Sequence, residues 1–182
     1  MIKKITLAFI LFILFNQYLL AQAPYVNALP GVTLNASNSN NSSTRMGVAY
    51  NPQLNLYYSN QGGWASFNVL THSATGAILM SIPGNIDMRG MWWNPLLNQL
   101  EANTYNGQGI YQKPLDANGY ATGTNNAIVN PNVQPYDQLS ATYDWNNNHF
   151  VYYFSGSIYR YSRTTNTLVA TTPITGLPVA TS

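Results

Sequence analysis

The chain of 182 residues has no cysteine, and only 7% of its residues are charged. Without cysteine there is neither a disulfide framework nor a thiol for lipid attachment or metal binding. The fold must be held by packing alone. Only two histidines occur, His72 and His149, and no His, Asp and Glu cluster has metal-ligand spacing. No metal site and no cofactor are expected: the sequence has no phosphate loop and no nicotinamide or flavin fingerprint. It also lacks the G-x-S-x-G elbow that presents a catalytic serine. The net charge of +2 depends on Lys3 and Lys4. With those two set aside, five basic residues face five acidic ones, so nothing attracts nucleic acid or an anionic membrane.

Lys3 and Lys4 instead open a leader. The stretch Ile5 to Phe15 is apolar except for Thr6, and it ends in Leu19-Leu20-Ala21-Gln22-Ala23. Charge, apolar run and small residue in that order read as a secretory signal over residues 1–21, cleaved after Ala21. The rival reading is a membrane anchor. It has only the span from Ile5 to Leu20, interrupted by Asn16 and Gln17, where a bilayer needs about 20 apolar residues. The expectation is therefore export to the periplasm, cell surface or medium, with no membrane span after cleavage. Residues 22–44 follow as an N-terminal segment and linker, ending in the turn-forming run N-A-S-N-S-N-N-S-S-T.

From Arg45 the chain repeats itself. Met46-Gly47-Val48-Ala49-Tyr50-Asn51 aligns with Arg89-Gly90-Met91-Trp92-Trp93-Asn94, and with Leu139-Ser140-Ala141-Thr142-Tyr143-Asp144. In each unit a small residue stands three places before an aromatic, and a turn-forming amide or acid follows. Short β-rich runs separated by Gly-bearing turns then continue each unit as an antiparallel meander. No apolar stripe of helical period occurs after residue 21. The expected fold class is all-β. Three four-stranded units of this length read as blades of a β-propeller, over residues 45–87, 88–136 and 137–175, with another blade beginning at 176–182. A β-sandwich with coincidental similarity is the alternative. In the propeller reading, small residues sit where inner strands crowd a shared axis and the aromatics fill the wedges between blades. Three blades fall short of the usual 4 to 8. An incomplete ring is therefore expected: either the chain is a fragment of a longer protein carrying further blades or a sorting domain downstream, or Pro24 to Leu34 and the C-terminal end together make a partial fourth blade.

The run Gly47-Val48-Ala49-Tyr50-Asn51-Pro52-Gln53-Leu54-Asn55-Leu56-Tyr57-Tyr58, with Thr75-Gly76 closing the outer hairpin, resembles a blade of the secreted bacterial propeller repeats. These are the loosely related YVTN, NHL and quinoprotein-dehydrogenase-like families. The resemblance spans about residues 45–175 and implies a fold, since no cofactor signature of those families is present.

The candidate site follows from the repeat. Asp87 and Asp137 fall just before inner strands, which puts them at one mouth of the central channel, with Arg89 beside them. Trp92 and Trp93 are candidates to stack on a neutral ligand, since rings and amides suit sugars or a protein surface. The expected function is a secreted, non-catalytic module for protein or neutral glycan binding or scaffolding, as the N-terminal piece of a larger surface protein. The alternative is a propeller enzyme, a lyase, hydrolase or lactonase, working with Asp87, Asp137 and Arg89. His72 is expected to be a solvated turn residue, and Asp144 to build a tight turn.

Overall fold

A computed structural model describes residues 31–35 and 44–175. The leader, most of the linker and residues 176–182 lie outside the described residues. Twelve strands form three four-stranded antiparallel sheets, each a simple meander. The first contains β1 (Thr44–Asn51), β2 (Leu56–Gly62), β3 (Asn68–His72) and β4 (Ile78–Pro83). The second contains β5 (Met88–Asn94), β6 (Gln99–Thr104), β7 (Ile110–Lys113) and β8 (Asn126–Val129). The third contains β9 (Ala141–Asp144), β10 (His149–Phe154), β11 (Ser157–Ser162) and β12 (Leu168–Pro173). One 3-10 turn, Tyr105–Gly107, is the sole helical element among the described residues, so none of them forms a helix able to cross a membrane.

The sheets lie side by side. β5 packs against both β1 and β9, whereas β1 and β9 share no comparable contact. First strands gathered around a centre, with each chain running outward to a fourth strand, define the blades of a β-propeller, here three in an open arc. The sandwich alternative is thereby removed.

The core lies between the blades. One cluster joins Ala49, Tyr58 and Val69 of the first blade to Met88, Met91 and Leu100 of the second. Another joins Trp92 and Ile110 of the second to Tyr143, Phe150 and Tyr152 of the third. Neighbouring residues on a strand face opposite ways, so Met91 serves one interface and Trp92 the other. β5 is accordingly buried along nearly its whole length, while outer strand β12 is almost entirely exposed.

Close approach at the centre explains the small-residue column. A Cβ on Gly90 would stand 2.5 Å from the Ala141 carbonyl oxygen and 2.7 Å from its nitrogen. Two buried amides, Asn60 and Asn103, sit opposite Gly47 and Gly90 and stitch the blades together. Asn60 Nδ2 donates to the Met88 carbonyl at 2.8 Å. Asn103 Nδ2 donates to the Leu139 carbonyl at 2.7 Å, and its Oδ1 accepts from Ala141 N–H at 2.9 Å. The aromatic column behaves as its position dictates. Trp93 stacks on Tyr58 of the preceding blade, with ring centroids 6.4 Å apart, and Tyr143 is buried against Phe150. Tyr50, the first member, has no described blade beside it and remains 42% exposed.

The turn-forming column is also accounted for. Asn51, Asn94 and Asp144 each accept two backbone N–H groups from their own turns. That is the Asx-turn chemistry for which these side chains suit chain reversals. One expectation needs correction. His72 is not a solvated turn residue: it ends β3 fully buried, its Nε2 2.9 Å from Ser59 Oγ. The third strand of the first blade starts at Asn68, because Phe67 N–H closes a turn onto the Trp64 carbonyl.

Lys113 is a buried cation. Its side chain is shut from solvent, donating to the Gly84 carbonyl at 3.2 Å and to Asn125 Oδ1 at 3.1 Å. Neither ion pair among the described residues involves it. Burial lowers its pKa from 10.5 to about 8. Below that value both folded and unfolded chains carry the proton, and the fold bears the full desolvation cost. Between about 8 and 10.5 the folded chain is neutral at Lys113 while the unfolded chain still binds the proton, so stability rises with pH. Burial raises the pKa of Tyr58 and Tyr152. Above about pH 10 the unfolded chain therefore loses phenolic protons first, and stability falls again. Denaturant melts should show a gain of about 2 kcal/mol from pH 8 to pH 10, absent in Lys113→Met. A flat profile in the parent chain would contradict the buried ammonium.

Candidate functional site

A cleft of about 530 Å³ opens where β5 begins and where β2 and β6 end. It is lined by the Gly63-Trp64-Ala65 turn of the first blade, by Asn85, Ile86, Asp87, Arg89, Tyr105 and Gln108, and by Gln138 of the approach to β9. Its volume falls in the range of small-molecule sites.

Arg89 is the hub. The β5–β6 register shifts between Met88 and Gly90, and a bulged residue of this kind leaves the normal alternation and re-aims its side chain. Its Nη2 donates to Asp87 Oδ2 at 2.6 Å, and its Nη1 to Gln138 Oε1 at 2.5 Å. The guanidinium carbon lies 4.8 Å from the centroid of the Tyr105 ring, a cation–π distance. Asp87 Oδ1 accepts the Gly63 N–H at 2.8 Å. The ion pair therefore ties two blades together, while Gln138 ties in the third. Only 7% of Arg89 is exposed, and its Nε has no hydrogen-bond partner.

Of the residues expected from sequence, Asp87 and Arg89 share this cleft. Asp137 does not line it: the residue is exposed, its carbonyl accepts from Asn106 N–H and Gln134 Nε2, and its neighbour Gln138 faces Arg89. Trp92 and Trp93 go to the blade interfaces. The Trp92 indole N–H donates to Glu101 Oε2 at 3.0 Å within the second core cluster, and Trp93 stacks on Tyr58. The tryptophan presented to the cleft is Trp64, 69% exposed. Sequence reasoning passed over it, along with Tyr105, Gln108 and Gln138. A signal for Trp64 was present: a large ring directly after Gly62-Gly63 sits in a turn, where a buried role is hard to supply.

A second hollow of about 510 Å³ lies beside Leu96, Leu97 and Arg163. Its floor is structural. Arg163 forms a bidentate pair with fully buried Glu101, at 2.5 and 2.9 Å, and Glu101 also accepts from Trp92, Asn94 and Gln99. This network joins the second blade to the third.

The sheets and their centre define a propeller with a polar cleft at one end of its inner strands. No family model and no curated protein matches the chain. Solved structures resemble the chain at low identity. One is a protein of unknown function from Bacteroides caccae, 12% identical with a TM-score of 0.43, matching over 77% of this chain and 49% of that one. Another is the β-propeller domain of Myceliophteria thermophila Cps50 (Swd1), 12% identical with a TM-score of 0.41, over 79% and 49%. The chain thus spans about half the length of these structures.

Proposed function

We propose that the chain is exported and acts as a non-catalytic binding module, with the Asp87–Arg89 cleft as its ligand site. The leader sequence supports export. The observation that carries the binding reading is that the charged groups of the cleft are spent on each other. Asp87 is held by Arg89 and by a backbone N–H, leaving no carboxylate poised to move a proton. What remains open toward a ligand is an aromatic face and amides. Such a surface recognises without reacting, and its anchor residues come from all three blades.

The test is a panel of oligosaccharides and peptides added to isotopically labelled chain. Cleft resonances, foremost the Trp64 indole N–H, are expected to shift while the ligand is recovered chemically unchanged. A ligand consumed by the parent chain and spared by Asp87→Asn would replace this reading with the enzymatic one.

A further inference from the structure

We infer that the ligand of this cleft is a neutral saccharide seated on Trp64. The inference rests on the binding reading above and specifies its ligand. Three observations converge on it. First, Asp87 and Arg89 are the only charged residues among the described ones lining the cleft, and they neutralise one another at 2.6 Å. A phosphate or carboxylate would find no net positive charge to repay its desolvation.

Second, the unspent hydrogen-bonding capacity is that of groups suited to hydroxyls. Arg89 is more than nine-tenths buried, with Nη1 bonded to Gln138, Nη2 bonded to Asp87 and the buried Nε without a partner. Gln138 gives its oxygen to Arg89 and keeps its NH₂ free, and the exposed Gln108 amide makes no side-chain bond. Together these offer donors beside an acceptor, and a sugar hydroxyl is both at once.

Third, Trp64 places a large flat apolar surface next to those groups, in a turn stiffened by the Phe67 N–H bond to its carbonyl. A pyranose has an apolar face ringed by hydroxyls, so one side meets the indole and the rim meets the amides. A peptide added as a strand would instead need an open backbone edge. Side chains and turns line this cleft.

The experiment titrates the full chain with cellotetraose, chitotetraose, mannotetraose and maltotetraose, and with tetragalacturonate as an anionic arm, by calorimetry and tryptophan fluorescence. At least one neutral tetrasaccharide is expected to bind and the galacturonate is not. Trp64→Ala should weaken binding about tenfold or more, Trp64→Phe less, and Gln108→Ala severalfold. Trp64 and Gln108 are exposed, so these variants keep the fold, which circular dichroism checks. Neutral-sugar binding that Trp64→Ala leaves untouched, or binding of the galacturonate alone, overturns the inference. Peptide binding that depends on Trp64, with every saccharide silent, overturns it and leaves the binding reading standing. Silence toward every ligand overturns both.

Discussion

Arg163→Met is expected to cost about 3–5 kcal/mol, because it leaves the Glu101 carboxylate buried and without its counter-charge. Glu101 is fully enclosed and accepts five hydrogen bonds from four side chains, and the third blade's Arg163 gives two of those bonds. The neutral donors left behind, Trp92, Asn94 and Gln99, cannot offset a full charge. Arg163 also covers the Tyr143 and Phe150 rings, at 5.3 and 5.5 Å from their centroids, so methionine recovers some of the packing but none of the pairing. Urea melts should place the midpoint far below that of the parent chain. The double variant Glu101→Gln with Arg163→Met should be less damaged than Arg163→Met alone, since the orphaned charge is then gone. Equal midpoints for parent and Arg163→Met would mean the pair does not hold the second and third blades together.

Gly90→Ala should be nearly as damaging, at about 3 kcal/mol or more, although it adds one methyl group. Overpacking usually costs about 1–3 kcal/mol when side chains can yield. Here the obstacles are the backbone oxygen and nitrogen of Ala141 and the Asn103 side chain, itself pinned to Leu139 and Ala141. Nothing can give way without parting β5 from β9. Gly123→Ala is the matched control: its Cβ would meet only Asn85 Nδ2, at 3.8 Å, so it should melt within about 0.5 kcal/mol of the parent. If both variants melted alike, crowding at the shared centre would not be the reason for the small residues of the inner strands.

The repeat made the architecture legible because its physical demands are local. A glycine where backbones nearly touch, a ring three residues later on the same strand and an amide that reverses the chain each declare themselves within ten residues. Ser140 in the third unit shows the tolerance of the column. Its hydroxyl donates to the Arg89 carbonyl at 2.6 Å, turning close approach into a bond where Gly47 and Gly90 merely make room. The site was half legible. Asp87 and Arg89 are close in sequence and share a strand entrance, so their position followed from the register of the repeat. Asp137 occupies the corresponding place in the chain, but the approach to β9 lets Gln138 take the position facing Arg89. The adjacent tryptophans of β5 drew attention by composition, and packing claimed both.

Blade number along the described chain, strand order and the absence of a helical core were determined by the sequence itself, since periodicity and turn chemistry act over short distances. Which ring faces solvent was decided only by the tertiary structure. Burial depends on what a neighbouring blade places opposite, and β5 has a blade on each side whereas the Trp64 turn has open space. The same holds for Arg89: its charge is visible in the sequence, but its bonds to Asp87 and Gln138 exist only once three blades meet at one end of the arc.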